Sequence, residues 1–303
     1  MPTVTISPAN QDAWIAEIFA GALVLILAIP LLIMANKFPD QSFNEYFEII
    51  LGKPIGKCLN FLYALFLLSV CLISSAIMAD YLLSAVIPET PMYAILTFML
   101  IPCAYGAYKG IECIGRSSSN VAIFTFIIVV LYSILNINNM DFKELLPILK
   151  DSTLSDLSFG TLYTASRFSD CILFFLLLPY VKDGKNKSGT KLLLLAIIIF
   201  TLFNTILIIA TQTVLGVGLS KILKYPYFIS IQEINLFGII QRIEFFDVVA
   251  WIYIFFFKIS STVFATSVVM MQIFNLKSNK VFIIPINVVI FCCILFTNIS
   301  YYG

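Results

Sequence analysis

The sequence contains no histidine. That removes the imidazole from every task it usually performs, so a His-based catalytic triad, an imidazole metal site and the usual haem ligands are excluded. Charge is scarce as well. Asp, Glu, Lys and Arg make up 12% of the residues, where soluble domains carry about 25%. The 18 basic and 17 acidic residues nearly cancel. No loop holds a basic run with interleaved aromatics, which argues against a nucleic-acid partner. The seven cysteines, Cys58, Cys71, Cys103, Cys113, Cys171, Cys292 and Cys293, form no Cys-x-x-Cys. Most sit inside apolar runs and read as packing residues. No pair of carboxylates, no nucleophile with a base and no metal-ligand spacing is present. The sequence therefore reads as neither an enzyme nor a cofactor or metal protein.

What the chain has is apolar surface. Hydrophobic residues are 60% of it, with 28 Phe, and long apolar runs recur along its length. Such a chain is an all-α polytopic membrane protein in a lipid bilayer. Residues 1–11 are polar and contain Pro2 and Pro8, with no basic region of the signal-peptide kind. Trp14 is placed as an interfacial anchor. Spans are expected at 15–35, 58–87, 92–108, 121–135, 161–181, 192–219, 245–271 and 281–300, within one transmembrane domain over 1–303. A short amphipathic stretch is expected at 43–51, Pro88 to Pro91 marks a tight turn, and 136–160 reads as a loop. Alternate loops hold eleven Lys and Arg against five in the others. The richer set belongs in the cytoplasm, which puts both ends of the chain outside.

Charge inside the spans is the informative feature. The uninterrupted apolar part of the fifth span, 171–181, rises only roughly 16 Å as a helix, against a bilayer core of about 30 Å. To cross, it must take in Arg167 and Asp170, each costing at least about 3 kcal/mol at mid-depth. These two share a helix face and are flanked by Ser166 and Ser169. Three readings remain open. The stretch is a broken helix lining a midplane cavity, a structural ion pair, or a short re-entrant segment at the outer interface. Lys258 lies eleven residues past Asp247, roughly 16 Å into its span. Ser261 and Thr262 follow it on the same face. Lys258 reads either as a fixed cation in a polar pocket or as one end of a helix–helix salt bridge with Asp80 or Asp170. Asp80 and Glu17 fall near outer ends of their spans and read as solvated at the interface. Asn204 and Gln212 read as interhelical hydrogen-bond partners.

Two motifs fail on inspection. Gly52-Lys53-Pro54-Ile55-Gly56-Lys57-Cys58 is one residue short of a phosphate loop and lacks the Ser or Thr after the second Lys. Asn186-Lys187-Ser188 fits a glycosylation acceptor but falls on the cytoplasmic side.

A set of short pieces spread along the chain is more specific in its order than any piece alone. It runs Gln11-Asp12-Ala13-Trp14, Phe38-Pro39, Leu51-Gly52-Lys53 and Gly56-Lys57, then Pro88-Glu89-Thr90-Pro91. Gly110-Ile111-Glu112, Gly115-Arg116, Leu178-Pro179-Tyr180-Val181-Lys182 and Gln241-Arg242-Ile243-Glu244 follow, and Trp251 and Lys258 close the set. In these pieces the chain resembles the B subunits of bacterial spore germinant receptors, the spore germination permease family of the amino acid–polyamine–organocation superfamily. The resemblance implies an inverted-repeat, transporter-like core of ten helices in two five-helix repeats. It also implies sensing of a small nutrient, commonly an amino acid, in the spore inner membrane, together with an A and a C subunit. On that pattern the eight spans match the second to ninth helices of the expected ten. One helix is expected before the Gln-Asp-Ala-Trp piece and one after the last span, so Met1 is expected to be an internal methionine or the gene to be truncated. The stretch 161–181 then becomes the first helix of the second repeat, where a break is expected. Ser166, Arg167, Ser169 and Asp170, with Lys258, Ser261 and Thr262, are the expected ligand contacts. Arg167 is matched to a carboxylate and Asp170 to an ammonium group. A stand-alone amino-acid permease and a truncated, non-functional family member are the alternatives.

Overall fold

The computed structural model describes residues 2–37, 43–150, 152–168, 171–177, 188–234 and 243–302. Among these every regular element is helical. In chain order they are α1 (Pro2–Ala9), a 3-10 turn (Asn10–Asp12), α2 (Ala13–Lys37), α3 (Phe43–Leu51), α4 (Lys53–Tyr81) with a π-helical end (Leu82–Val86), α5 (Met92–Lys109) and α6 (Ile111–Leu135). Two 3-10 turns lead to α7 (Leu154–Arg167), followed by α8 (Cys171–Leu177), α9 (Ser188–Ile222), α10 (Pro226–Gln232), α11 (Glu244–Ile273) and α12 (Lys280–Tyr302). Among the described residues six stretches are long and apolar enough to cross a membrane: Thr5–Met34, Lys53–Val86, Ile111–Leu135, Lys191–Ile222, Glu244–Ile273 and Lys280–Thr297. The expected span 92–108 corresponds to α5, which has 18 residues. Of the expected span 161–181, residues 161–167 belong to α7 and 171–177 to α8, while 169–170 and 178–181 lie outside the described residues. Large apolar side chains such as Phe98, Ile101, Ile284 and Phe296 point outward, as lipid-facing surfaces do and water-facing ones do not.

The chain divides into two compact units. The first comprises Met1–Lys37, Phe124–Ile172 and Asp183–Val248. Within residues 1–11, read from sequence as polar and Pro-containing, Pro2–Ala9 forms the helix α1. The Thr5–Met34 stretch is not one straight rod. A methyl group built on Gly160 of α7 would lie 2.9 Å from the Ala9 Cβ and 3.4 Å from the Ala16 Cβ. Those two distances put Ala9 and Ala16 at most about 6.3 Å apart, whereas seven residues of straight helix rise about 10.5 Å. The chain therefore folds back at Asn10, whose φ is 53°. Thr5 meets Thr164 and Ala9 meets Gly160, so α1 runs antiparallel to α7. Ile6, Ala9, Ala13 and Ala16 close on Ile208 of α9, and Trp14 packs against that cluster. Trp14 thus packs against the hairpin.

The Gln11-Asp12 piece fixes this turn. The Asn10 carbonyl accepts from Gln212 Nε2 at 2.7 Å, and Asn10 Oδ1 accepts from Lys221 Nζ. Gln11 Nε2 donates to the Pro147 carbonyl at 3.1 Å. The fully buried Asp12 carboxylate accepts from the Leu149 N–H at 3.0 Å and from the Ser152 hydroxyl. The stretch expected as loop, 136–160, is therefore held to the turn, and its last part is helix. A capping box starts α7 at Leu154, because Thr153 and Asp156 each bond the other's backbone N–H. Farther along, α9 bends at Gly216 (φ 74°, ψ 161°), a conformation that side-chain-bearing residues avoid. The freed Val217 N–H donates to Glu144 Oε2 at 3.4 Å.

The second unit comprises Phe38–Ile123, Leu173–Lys182 and Val249–Gly303. The amphipathic α3 folds onto α4. Gly56 allows it, since a Cβ there would lie 2.6 Å from the Glu48 Cα. At the far end of α4, Tyr81 stacks on Trp251 at 5.3 Å, and Trp251 on Phe255 at 5.5 Å. Trp251 belongs to the resemblance set, and its place is this aromatic stack. Helix α5 ends at Gly110 with φ 94°. The chain re-enters helix at Ile111, ten residues before the sequence-based boundary, and the exposed Arg116–Glu112 pair at 2.6 Å spans that first turn.

Candidate functional site

The candidate site is built on the end of α7. Phe168 leaves helical geometry (φ −78°, ψ 3°), and its N–H bonds the Ala165 and Ser166 carbonyls. Its buried ring meets the edge of Phe200 on α9 at 5.2 Å, which anchors the point where the helix stops. Helix α8 begins at Cys171. Ser169 and Asp170 lie outside the described residues. Ser166 is exposed, and its hydroxyl donates to the Tyr163 carbonyl at 2.7 Å. Arg167 is the last helical residue and is half-buried. A cation there complements the partial negative charge of the helix end.

Glu17 of α2 lies within electrostatic reach of Arg167. The interface reading of Glu17 is corrected by its burial, which leaves it 1% exposed. Its Oε2 is buried and finds no hydrogen-bond partner among the described residues. The cause is the hairpin, because α1 folds back along α7 and covers the end of α2 that hydropathy alone leaves open. A usable signal was present in the sequence. Glu17 shares a helix face with Ala13, Ala20 and Gly21, and small residues mark the side of a membrane helix that packs closely. Gly21 lies against Thr201 of α9, and Thr5 and Thr164 pair their hydroxyls at 2.9 Å nearby.

Lys258, Ser261 and Thr262 belong to the second unit and sit together on one turn of α11. Lys258 is half-buried. The hydroxyls of Ser261 and Thr262 both donate to the Lys258 carbonyl, at 3.0 and 2.7 Å. Each therefore offers a ligand its lone pairs rather than its proton. The same self-bonding recurs in α9, where Thr201, Thr205, Thr211 and Thr213 bond carbonyls one turn back. Asn204, expected to bridge helices, donates instead to Phe200 of its own helix at 2.9 Å. Gln212 does reach another segment, the Asn10 turn.

Comparison with known proteins gives a consistent answer. The family model of the spore permeases, described as "Spore germination protein", matches residues 1–302. Spore germination protein KB of Bacillus subtilis is 26% identical over 304 residues, covering 97% of this chain and 80% of that protein. Spore germination protein YndE of the same organism is 24% identical over 277 residues, covering 91% and 75%. Spore germination protein XB of Bacillus anthracis is 23% identical over 300 residues, covering 97% and 82%. A match along essentially the whole chain, on a helical protein with six stretches fit to cross a bilayer, makes this multi-pass membrane protein a member of the spore germination protein family.

Proposed function

We propose that the protein is the membrane subunit of a spore nutrient germinant receptor, of the B-subunit type. It binds a small nutrient such as an amino acid and passes a conformational signal that triggers germination. The observation that carries this reading is the family match over residues 1–302, among relatives that are named spore germination proteins. Its partners are receptor A and C subunits in the spore inner membrane. The ligand contacts are the end of α7, with Ser166, Arg167, Ser169 and Asp170, and the α11 turn with Lys258, Ser261 and Thr262. Arg167 takes a carboxylate and Asp170 an ammonium group. Lys258 fills the position where a co-bound cation would otherwise stand. An intramembrane cation is costly enough that a ligand role is its default explanation.

Germination of spores lacking the gene tests this, read as loss of optical density after addition of each of the twenty amino acids. The deletion should remove the response to at least one of them. The wild-type gene should restore it, and Arg167→Ala or Lys258→Ala should restore it at a rate reduced about 10-fold or more, the loss expected when one charge-assisted contact is removed. Undiminished germination of the deletion strain, with labelled amino-acid uptake by vesicles holding this protein alone, would instead establish a permease and refute the receptor reading.

A further inference from the structure

We propose that the end of α5 and the start of α12 form a binding site for an anionic phospholipid, with the lipid phosphate held by Lys109, Lys277 and Lys280. The three lysines lie in one compact unit, on the side that the count of lysines and arginines assigns to the cytoplasm. Helix α5 ends at Lys109, and α12 begins at Lys280. The Lys280 ammonium sits over the ring of Tyr108 at 4.3 Å, so it reaches from α12 to α5. The Lys109 ammonium sits over Tyr105, one turn back on its own helix, at 5.2 Å. Lys277 lies in the turn between α11 and α12. Bonds and ring contacts set that turn. The Leu276 N–H donates to the Met271 carbonyl at 2.9 Å, Asn279 Nδ2 donates to the Ser267 hydroxyl at 3.0 Å, and Phe274 stacks on Phe282 at 5.6 Å.

Three features suit these cations to an anion from outside the chain. All three are exposed, and among the described residues none of them makes an ion pair. Glu112, three residues past Lys109, is bonded to Arg116 at 2.6 Å instead. Second, Lys280 is the first residue of α12, where the helix dipole favours negative charge, and no acid stands in that first turn. A phosphate beside Lys280 supplies the charge that the ammonium and the helix start both favour. Third, the ring contacts hold the ammonium groups without using them up. An ammonium has three donors and a ring face engages one side of it, so the rest stay open to phosphate oxygens. The surroundings select a lipid over a free phosphate. Tyr105 and Tyr108 are exposed, and such amphipathic rings sit at headgroup level. Beyond them the exposed side chains are apolar, with Ile101 about 12 Å down α5 from Lys109 and Ile284 about 6 Å along α12 from Lys280. A headgroup on the lysines therefore lays its acyl chains against Ile101 and Ile284. Clusters of basic residues beside membrane helices attract anionic lipids of the cytoplasmic leaflet in this way.

Native mass spectrometry of the full chain tests the site, after release from nanodiscs of equal parts phosphatidylglycerol and phosphatidylcholine with matched acyl chains. The wild type should retain phosphatidylglycerol over phosphatidylcholine by about 10-fold or more. Lys109→Gln, Lys277→Gln and Lys280→Gln together should bring the two lipids within about threefold of each other. Lys37→Gln, Lys53→Gln and Lys191→Gln together remove as much charge from the same side and should leave the preference intact. Equal loss in both triple variants would reduce the effect to net charge and overturn the site. A wild type that retains both lipids equally, or an undiminished preference in the first triple variant, would overturn it too. Displacement of the lipid by millimolar inorganic phosphate would assign the lysines to a free anion and refute the lipid. Should the first triple variant fail to fold, Lys280→Gln alone should lower the preference about threefold, and an unchanged preference there overturns the proposal.

Discussion

Gly21→Ala sets two effects of opposite sign against each other, and the structure decides between them. In the middle of a helix such as α2, replacing Gly by Ala ordinarily stabilises by about 0.5–1 kcal/mol, because the backbone has less freedom to lose. Here the new methyl would lie 2.6 Å from Thr201 Cγ2 and 3.0 Å from Thr201 Cβ, with Thr201 Oγ1 closer still. Turning the Thr201 side chain brings no relief. Its two heavy γ atoms fill two of three staggered positions, both of which face Gly21, so every rotamer leaves at least one of them in the way. Turning also breaks the Thr201 bond to the Ile197 carbonyl at 2.8 Å. Overpacking of this kind costs about 1–3 kcal/mol, so the net effect is a loss of about 1–2 kcal/mol. At about 2–4 °C per kcal/mol for a chain of this size, the melting temperature in nanodiscs falls by about 2–8 °C. The assay is a double-mutant cycle with Thr201→Ala, which deletes both γ atoms. The two substitutions together should cost less than their sum by about 1 kcal/mol. A rise in melting temperature for Gly21→Ala, or strict additivity, would show that α2 and α9 do not meet at this point.

Two further outcomes follow from the first unit. Asp12→Ala leaves the Leu149 N–H and the Ser152 hydroxyl without their acceptor. It should destabilise by about 1–3 kcal/mol and raise protease sensitivity within 136–152, whereas Asp12→Asn, which keeps one acceptor oxygen, should do less. The Thr153 side chain and backbone N–H hold the exposed Asp156 carboxyl below its ordinary value of 3.8. With the folded value depressed, this carboxylate contributes stability above the unfolded value and loses it as pH falls through the folded one. The melting-temperature gap between the wild type and Asp156→Asn should therefore be constant from pH 7 to 5 and close below about pH 4. A gap that does not narrow at all as the pH is lowered from 5 through the acid range would rule out the capping role.

The long helices were legible wherever a long apolar run carried them. The sequence-based bounds 15–35, 245–271 and 281–300 fall within two residues of α2, α11 and α12. Hydropathy reads cost in lipid, and along these runs nothing competes with it. Boundaries set by local chemistry were less legible. The Thr153–Asp156 capping box begins α7 seven residues before the sequence boundary, and α6 extends ten residues into a polar stretch closed by Glu112 and Arg116. The candidate site was half legible. Arg167 stood out as a charge in an apolar segment. Glu17 did not, because its burial arises from a chain reversal at Asn10 that brings α1 back over α2. No pattern of period 3.6 or of hydropathy encodes such a reversal. It depends on a residue with φ 53° and on contacts with Pro147, Leu149, Ser152 and Gln212, all more than 130 residues away in sequence.

The self-bonded hydroxyls of α9 and α11 have a mechanical consequence. In α9, Thr201, Thr205, Thr211 and Thr213 return their protons to carbonyls of their own helix, as Ser261, Thr262, Thr266 and Ser267 do in α11. A helix joined to its neighbours by hydrogen bonds must break them to slide or turn, and inside a membrane no water replaces them. A hydroxyl that bonds its own helix moves with it and adds no such bond to break. Those hydroxyls therefore donate no bond to a neighbouring helix, and what α9 must break to move is instead the set of bonds from Gln212 and Lys221 to the Asn10 turn, from Val217 to Glu144 and from the Asp141 N–H to the Thr213 carbonyl.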